Sequence, residues 1–219
     1  MRVVKVKDII NRVVEVREFI DYLHVTGGEP TLWPNELKTL FYLAKLNDIM
    51  VSLDTNGSNP EVVKSLIAKE LIDHVALDVK APLSDPEKYA EVVGIPLNDF
   101  LKRGYIDRIS KTLELVLEEL PEIELRIPFV PLLHEEVTVL NTIKELIELT
   151  DCVRKSRKGV KIVLQQFVPS ETVLSEKFKT LQRTPLETLN RVARAAIERF
   201  GLEGIYVRSL EKGVELLRR

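Results

Sequence analysis

Tyr22-Leu23-His24-Val25-Thr26-Gly27-Gly28-Glu29-Pro30-Thr31 is the stretch that decides how this chain is read. A short β-prone run ends in two glycines, a carboxylate and a proline, the pattern of a strand that stops abruptly and hands over to a helix. Gly27 and Gly28 permit dihedral angles that other residues avoid and leave no Cβ on that stretch, so a ligand could lie directly against the strand's exposed carbonyls and amides. Glu29 adds a carboxylate at the same edge, where a ligand ammonium group would find acceptors and a counter-charge together. The competing reading of the same residues is a tight strand-to-helix turn with Glu29 near a helix start.

Working outward, β-branched runs recur at Met50 to Thr55, His74 to Lys80, Ile123 to Val130 and Lys161 to Phe167, separated by stretches with helical periodicity. That alternation predicts a parallel sheet. Asn59 can cap a helix with Pro60 in its first turn, and Asp85-Pro86 repeats the device before a short helix ending near Gly94. Thr184-Pro185-Leu186-Glu187 reads as a capping box. Leu186, Leu189, Val192, Ala193, Ala196, Ile197 and Phe200 then fall on one face, and Gly201 supplies the stop. Ile9, Ile10, Val13, Val14 and Phe19 form another amphipathic segment, so the chain begins on a helix. A right-handed series of such units puts helices outside a curving sheet and gathers the strands' C-terminal ends on one rim, where chemistry should collect.

Polar residues do fall at those ends. Asp54-Thr55-Asn56-Gly57 closes the second strand with the residue types of an Asx turn. Asp78 and Lys80 are two apart on the third, so both side chains share a face and can form an ion pair; pointing inward they would need partners or a ligand, since unpaired buried charges are expensive. The alternative is a pair on the solvated rim. Arg126 is a cation inside a β-prone run and could bind a carboxylate or a ribose, or pair with Glu124 on a common face. Gln165 and Gln166 end the fifth strand with amides suited either to a ligand or to satisfying the interior.

Bulk properties narrow the function. The length fits one domain, residues 1–219, with a substantial core. With 32 basic and 34 acidic residues the formal charge is -2, so nothing favours wrapping nucleic acid or lying on an anionic membrane. No apolar run is long enough to span a bilayer and Met1-Arg2-Val3-Val4-Lys5 has no signal-peptide shape, so the expected location is cytoplasmic. Abundant Glu and Lys with little Cys and Met point to a thermophile. Cys152 is alone, and one thiol can neither close an intrachain disulfide nor supply a thiolate set for zinc or iron–sulfur. His24, His74 and His134 lack the short spacings of metal sites and read as structural or solvated.

With Thr26-Gly27-Gly28-Glu29-Pro30-Thr31 followed by Asp54-Thr55-Asn56-Gly57, the sequence resembles the radical S-adenosylmethionine (radical SAM) superfamily. Within it, the match is to the activating enzymes of glycyl-radical proteins, such as the activators of anaerobic ribonucleotide reductase and pyruvate formate-lyase. His74 to Pro82, Leu125-Arg126-Ile127-Pro128 and Leu164-Gln165-Gln166-Phe167 with Pro169 support that branch. The resemblance implies an α/β fold, a partial parallel (β/α) barrel of the radical SAM type, here expected without its first strand and cluster loop. It implies that S-adenosylmethionine is bound by Gly27, Gly28, Glu29, Asp54, Asn56, Asp78, Lys80 and Arg126. The Gly-Gly-Glu turn would receive the methionyl ammonium, and Arg126 would face the carboxylate or ribose. A monovalent cation at Asp54 and Asp78 is a further implication.

In the family, three cysteines spaced C-x3-C-x2-C hold a four-iron four-sulfur cluster whose remaining iron chelates S-adenosylmethionine; reduction releases a 5'-deoxyadenosyl radical. This sequence lacks the motif. The expectation is an activase-like chain that does not ligate the cluster and is inactive as given, as a misassigned start, a cloned fragment or a degenerate gene would each produce. Implied partners are a glycyl-radical enzyme as protein substrate and an electron donor such as ferredoxin or flavodoxin, in an anaerobic setting. The alternative is a cluster-free binding or regulatory protein retaining an S-adenosylmethionine or nucleotide pocket. A Schiff-base role for Lys80 ranks below both, because Asp78 beside it should keep the amine charged. A missing first strand should leave an uncovered sheet edge beside Tyr22 to Thr26, which a second chain could pair to give a dimer.

Overall fold

The β-prone runs and the helical stretches between them form strands and helices in the expected alternation. A computed structural model describes residues 4–154, 159–170, 173 and 175–219; the opening Met1-Arg2-Val3 lies outside the described residues. The strands are β1 (Tyr22–Val25), β2 (Met50–Thr55), β3 (His74–Asp78), β4 (Ile123–Phe129), β5 (Val160–Gln166), β6 (Gly204–Ser209) and β7 (Gly213–Arg218). The helices are α1 (Val6–Glu15), α2 (Pro34–Lys45), α3 (Pro60–Ile67), α4 (Pro86–Val93), α5 (Leu97–Lys102), α6 (Tyr105–Glu119), α7 (Glu136–Arg154), α8 (Glu176–Lys179) and α9 (Leu186–Phe200). The strand order of the sheet follows the chain from β1 to β7 and does not close, which makes this an open, mostly parallel α/β fold. The chain divides into two compact units, residues 1–77 with 107–123, and residues 78–106 with 124–219.

In the first unit β1, β2 and β3 are parallel, with Leu23 against Val51, Val25 against Leu53, Leu53 against Val75 and Thr55 against Leu77. Because side chains alternate, these residues make one apolar face, while Tyr22, His24, Ser52, Asp54 and His74 share the other. Val51, Leu53, Val75 and Leu77 are fully buried, as are Phe41 and Ala44 of α2 and Val63 and Leu66 of α3. Each such side chain contributes about 1.5–3 kcal/mol by leaving water. Parallel pairing puts the C-terminal ends of β1 and β2 side by side, so the Gly-Gly-Glu turn and the Asp54–Gly57 segment are neighbours. Among the described residues β1 pairs only with β2, which leaves the other edge of β1 at the end of the strand order, as the sequence predicts.

In the second unit β5 and β6 are parallel and β6 and β7 antiparallel. α9 packs on β5 and β6 and against α7, burying Leu189, Val192, Ala193, Ala196 and Ile197. The β6–β7 hairpin is absent from the sequence reading. Its Leu210-Glu211-Lys212 loop and Glu215-Leu216-Leu217 run have helix-favouring composition, and pairing with β5 through β6 overrides that propensity.

Three local expectations need correction. Thr184 does not close a capping box on α9: it is buried, and its hydroxyl donates to the Phe129 carbonyl at 2.5 Å, so tertiary structure takes the group a cap would use. Asn59 stands at the N-cap of α3, but its side chain donates to Thr31 Oγ1 at 2.8 Å instead of closing the helix. Phe19 lies beyond α1 in a short 3-10 turn and is 88 % exposed, off the apolar face. Asp85 does cap α4, accepting from the Lys88 amide at 2.9 Å, and Gly94 ends it at φ 72°.

Gly57 is held at φ +76°, and a Cβ there would meet Leu77 Cδ1 at 2.9 Å. We expect Gly57→Ala to lower unfolding stability by about 1–3 kcal/mol, from backbone strain and overpacking together. Chemical denaturation measures this, and an unchanged midpoint would contradict the packing described.

Candidate functional site

The first unit builds its polar edge around one carboxylate. Glu29 Oε1 accepts from the Thr31 amide (3.2 Å), the Thr31 hydroxyl (2.5 Å) and the Thr55 hydroxyl (2.8 Å), and Oε2 accepts from the Asn56 amide (2.7 Å). Two further bonds extend the network, from Asn59 Nδ2 to Thr31 Oγ1 and from the Gly57 amide to Thr55 Oγ1 at 3.1 Å. A carboxylate offers about four lone-pair directions, so four donors leave little capacity, and what remains is on Oε2. Glu29 thus ties the exit of β1 to the exit of β2. Asn56 Oδ1 accepts from the Ser58 amide at 2.9 Å, the Asx turn expected of this segment.

Gly27 and Gly28 are exposed at φ +93° and +57°, and the position a Cβ would take at either meets nothing within 4 Å. Their backbone therefore borders open space and is held in a conformation that side-chain-bearing residues resist. On the polar face of the same strands His24 Nε2 lies 2.9 Å from Asp54 Oδ1, and Ser52 Oγ lies 2.9 Å from His74 Nδ1.

The second unit carries the remaining expected residues. β3 ends at Asp78, so Lys80 lies beyond the strand on which the sequence places it; the expected ion pair forms all the same, with Lys80 Nζ 2.8 Å from Asp78 Oδ2 and both side chains partly exposed. The amide of the intervening Val79 donates to the Arg126 carbonyl at 2.8 Å, which sets Arg126 beside the exit of β3. Arg126 is buried, and its Nε donates to Glu124 Oε2 at 2.9 Å; Arg208 of β6 reaches the same oxygen at 3.2 Å. Gln166 is used structurally: its amide nitrogen donates to the Thr184 carbonyl at 2.7 Å and its oxygen accepts from the Leu210 amide at 2.9 Å. His134 is buried, with Nδ1 accepting from the Val130 amide at 3.0 Å and Nε2 against the Lys80 carbonyl at 2.6 Å.

Several of these partners were not legible as site residues. Thr55 meets Glu29, and Asn59 meets Thr31, only through the side-by-side strand ends, and Tyr89, whose hydroxyl is 3.3 Å from the Lys80 amide, reads in sequence as one apolar position of α4. Arg208 lies on a strand the sequence did not announce.

Residues 1–164 match the family described as the Radical SAM superfamily. This chain belongs to that superfamily. Its place on the activating-enzyme branch follows from a Methanocaldococcus jannaschii protein, provisionally named a glycyl-radical enzyme activating enzyme. It is 31% identical over 183 residues, covering 82% of this chain and 69% of the relative. Among solved structures, an archaeal TYW1 shares the fold with a TM-score of 0.56 at 16% identity over 97% of this chain. The chain spans 65% of the length of that TYW1 chain.

Complete superfamily members imply two cofactors, and the residues present fit one of them. Exposed backbone at Gly27 and Gly28, with open space where side chains would stand, suits the amino-acid end of S-adenosylmethionine. A four-iron four-sulfur cluster does not fit, because it needs three thiolates and the sequence holds one cysteine, Cys152, exposed on α7. Among the described residues no group of three or more His, Cys, Asp or Glu side chains could hold a metal, and none of their helices is long and apolar enough to cross a membrane.

Two outcomes follow from this geometry. Glu29→Ala leaves two hydroxyls and two amides without their acceptor and should cost about 2–4 kcal/mol, while Glu29→Gln, which keeps a carbonyl oxygen, should cost less. Equal stability of both variants in urea melts would rule out the brace. Burial, reinforced by the Lys88 and Lys80 charges, holds the His134 imidazole below its ordinary value of 6.5. A depressed folded value means the stabilisation is complete above about 6.5 and drains as pH falls through the lower folded value. Thermal melts should therefore show a stability loss on acidification that His134→Gln reduces, and identical pH profiles would refute it.

Proposed function

We propose that this chain is the S-adenosylmethionine-binding part of a glycyl-radical activating enzyme, and that its 219 residues bind the sulfonium amino acid without cleaving it. The observation that carries the reading is the exposed Gly27-Gly28 backbone. Two successive positive φ values hold it beside open space, at the strand exit that Glu29 braces. A ligand ammonium is a triple donor and pairs with backbone carbonyls it can approach, while Cβ atoms would keep it at a distance.

The family resemblance gives the methionyl ammonium to Gly27, Gly28 and Glu29 and the carboxylate or ribose to Arg126, with Asp78 and Lys80 near the ligand; we add that the Lys80 ammonium has the charge to answer a carboxylate. Asn56 supports the turn, and Asp54 and Asp78 have the chemistry to hold a monovalent cation. The partner class is a glycyl-radical enzyme such as anaerobic ribonucleotide reductase, with a ferredoxin or flavodoxin as reductant, in the cytoplasm. The unpaired edge of β1 is a candidate surface for a second copy. One observation favours a second reading, a cluster-free binding or regulatory protein: a single cysteine cannot supply the thiolate set.

Calorimetric titration with S-adenosylmethionine is the direct test. We expect saturable binding that Gly28→Val and Asp78→Ala each weaken by about tenfold or more, equivalent to about 1.4 kcal/mol. Absence of binding, or binding indifferent to both substitutions, would end this reading. After anaerobic incubation with iron, sulfide and dithionite, the chain should release no 5'-deoxyadenosine; its release would show cleavage by a route these residues do not suggest.

A further inference from the structure

Beyond the ligand-facing side chains, the second unit fixes the backbone of Lys80 in an unusual way. Lys80 follows β3, and both of its main-chain polar groups are taken by side chains. The N–H donates to the Tyr89 hydroxyl oxygen at 3.3 Å, and the C=O accepts from His134 Nε2 at 2.6 Å. The flanking residues are pinned as well: the Val79 amide donates to the Arg126 carbonyl, and the Leu83 and Ser84 amides donate to the two oxygens of Glu145 on α7.

The His134 tautomer is dictated by its partners. A backbone amide can only donate, so Nδ1 facing the Val130 N–H must be the acceptor; a carbonyl can only accept, so Nε2 carries the proton toward Lys80. The neutral ring is a strut of defined polarity between the exits of β4 and β3. Tyr89 is its counterpart from the other side. Its ring is buried and stacked on Phe100, with centroids 5.7 Å apart and planes at 28°, so the hydroxyl that receives the Lys80 amide has a fixed position.

We infer that His134 and Tyr89 are positioning residues. They set the peptide planes on both sides of Lys80, and thereby the place where its ammonium, paired with Asp78 at 2.8 Å, meets the acidic group of a sulfonium amino acid. A turn that merely needed its polar groups satisfied could use water at an exposed rim; two buried side chains from separate elements instead remove the freedom of this one residue. The inference rests on the reading of Lys80 given under Proposed function.

A double-mutant cycle on the purified chain tests it, with S-adenosylmethionine as the titrant. Lys80→Met and His134→Phe should each weaken binding, by about tenfold and about fivefold, and His134→Gln, which retains a donor and an acceptor, should restore it to within about threefold of wild type. If the histidine acts through the lysine, the double variant Lys80→Met/His134→Phe binds no more weakly than Lys80→Met alone. Full additivity, or wild-type affinity in His134→Phe, overturns the inference. Where His134→Phe does not fold, as circular dichroism reveals, Tyr89→Phe removes one oxygen and carries the same cycle with the same criteria. Binding untouched by Lys80→Met overturns the reading of Lys80 and the brace with it, a result distinct from additivity.

Discussion

Where a parallel strand ends, its last amides and carbonyls leave the ladder, and each must find another partner or face water. This chain meets that constraint with side chains at the strand exits, and its functional geometry depends on how it does so. Glu29 takes the donors at the ends of β1 and β2; Tyr89 and His134 take both groups of Lys80 beyond β3. Each solution freezes a short length of backbone. At Gly27 and Gly28 the result is a stretch of main chain presented bare to open space, and at Lys80 it is a cation carried on fixed backbone. Backbone fixed in this way suits the binding proposed above, because every protein torsion frozen in advance is one that binding need not freeze.

The parts of the fold legible in the sequence were those in which local and tertiary preferences agree. β2, with Val51 and Leu53 alternating against Ser52 and Asp54, has the same composition that its buried and polar faces require. α4 announces itself through Asp85 and Gly94, since a cap and a left-handed stop are set by a few adjacent atoms. The failures fall where distant partners decide. Thr184 has the sequence position of a cap, yet the Phe129 carbonyl, 55 residues away, has its hydroxyl. β7 is a strand because β6 offers it a ladder, not because Glu215-Leu216-Leu217 prefers extension.

The candidate site divides along the same line. Gly27, Gly28, Asp54, Asn56, Asp78 and Lys80 are recognisable because their spacing from a strand end is short and fixed. Their supporting residues are not, since Thr55, Asn59, Tyr89 and Glu145 acquire meaning only through the packing of separate elements. Glu29 shows how the two levels interact. The sequence offers it either to a ligand or to a turn, and the structure commits most of its lone pairs to the turn; removing it would disturb the bare backbone before it revealed anything about a direct ligand contact.

That commitment also bears on how this radical SAM chain can keep the shape of its strand-exit edge while its residues supply no thiolate set for a cluster. The cluster and the amino-acid site impose different requirements: the first needs three soft anionic ligands converging on metal, the second needs satisfied strand exits and exposed carbonyls. A cluster adds no hydrogen bond to the Glu29 network or to those of His134, because neither network contains a sulfur atom. These networks contribute to folding through hydrogen bonds that would have to be replaced if they were dismantled, whatever chemistry the edge performs. Stability alone can therefore preserve the shape of the amino-acid edge. What stability does not require is bare glycine backbone at Gly27 and Gly28, where a side chain would meet no obstruction and only the positive φ angles oppose it. Those two glycines, more than the carboxylates around them, carry the argument for a ligand.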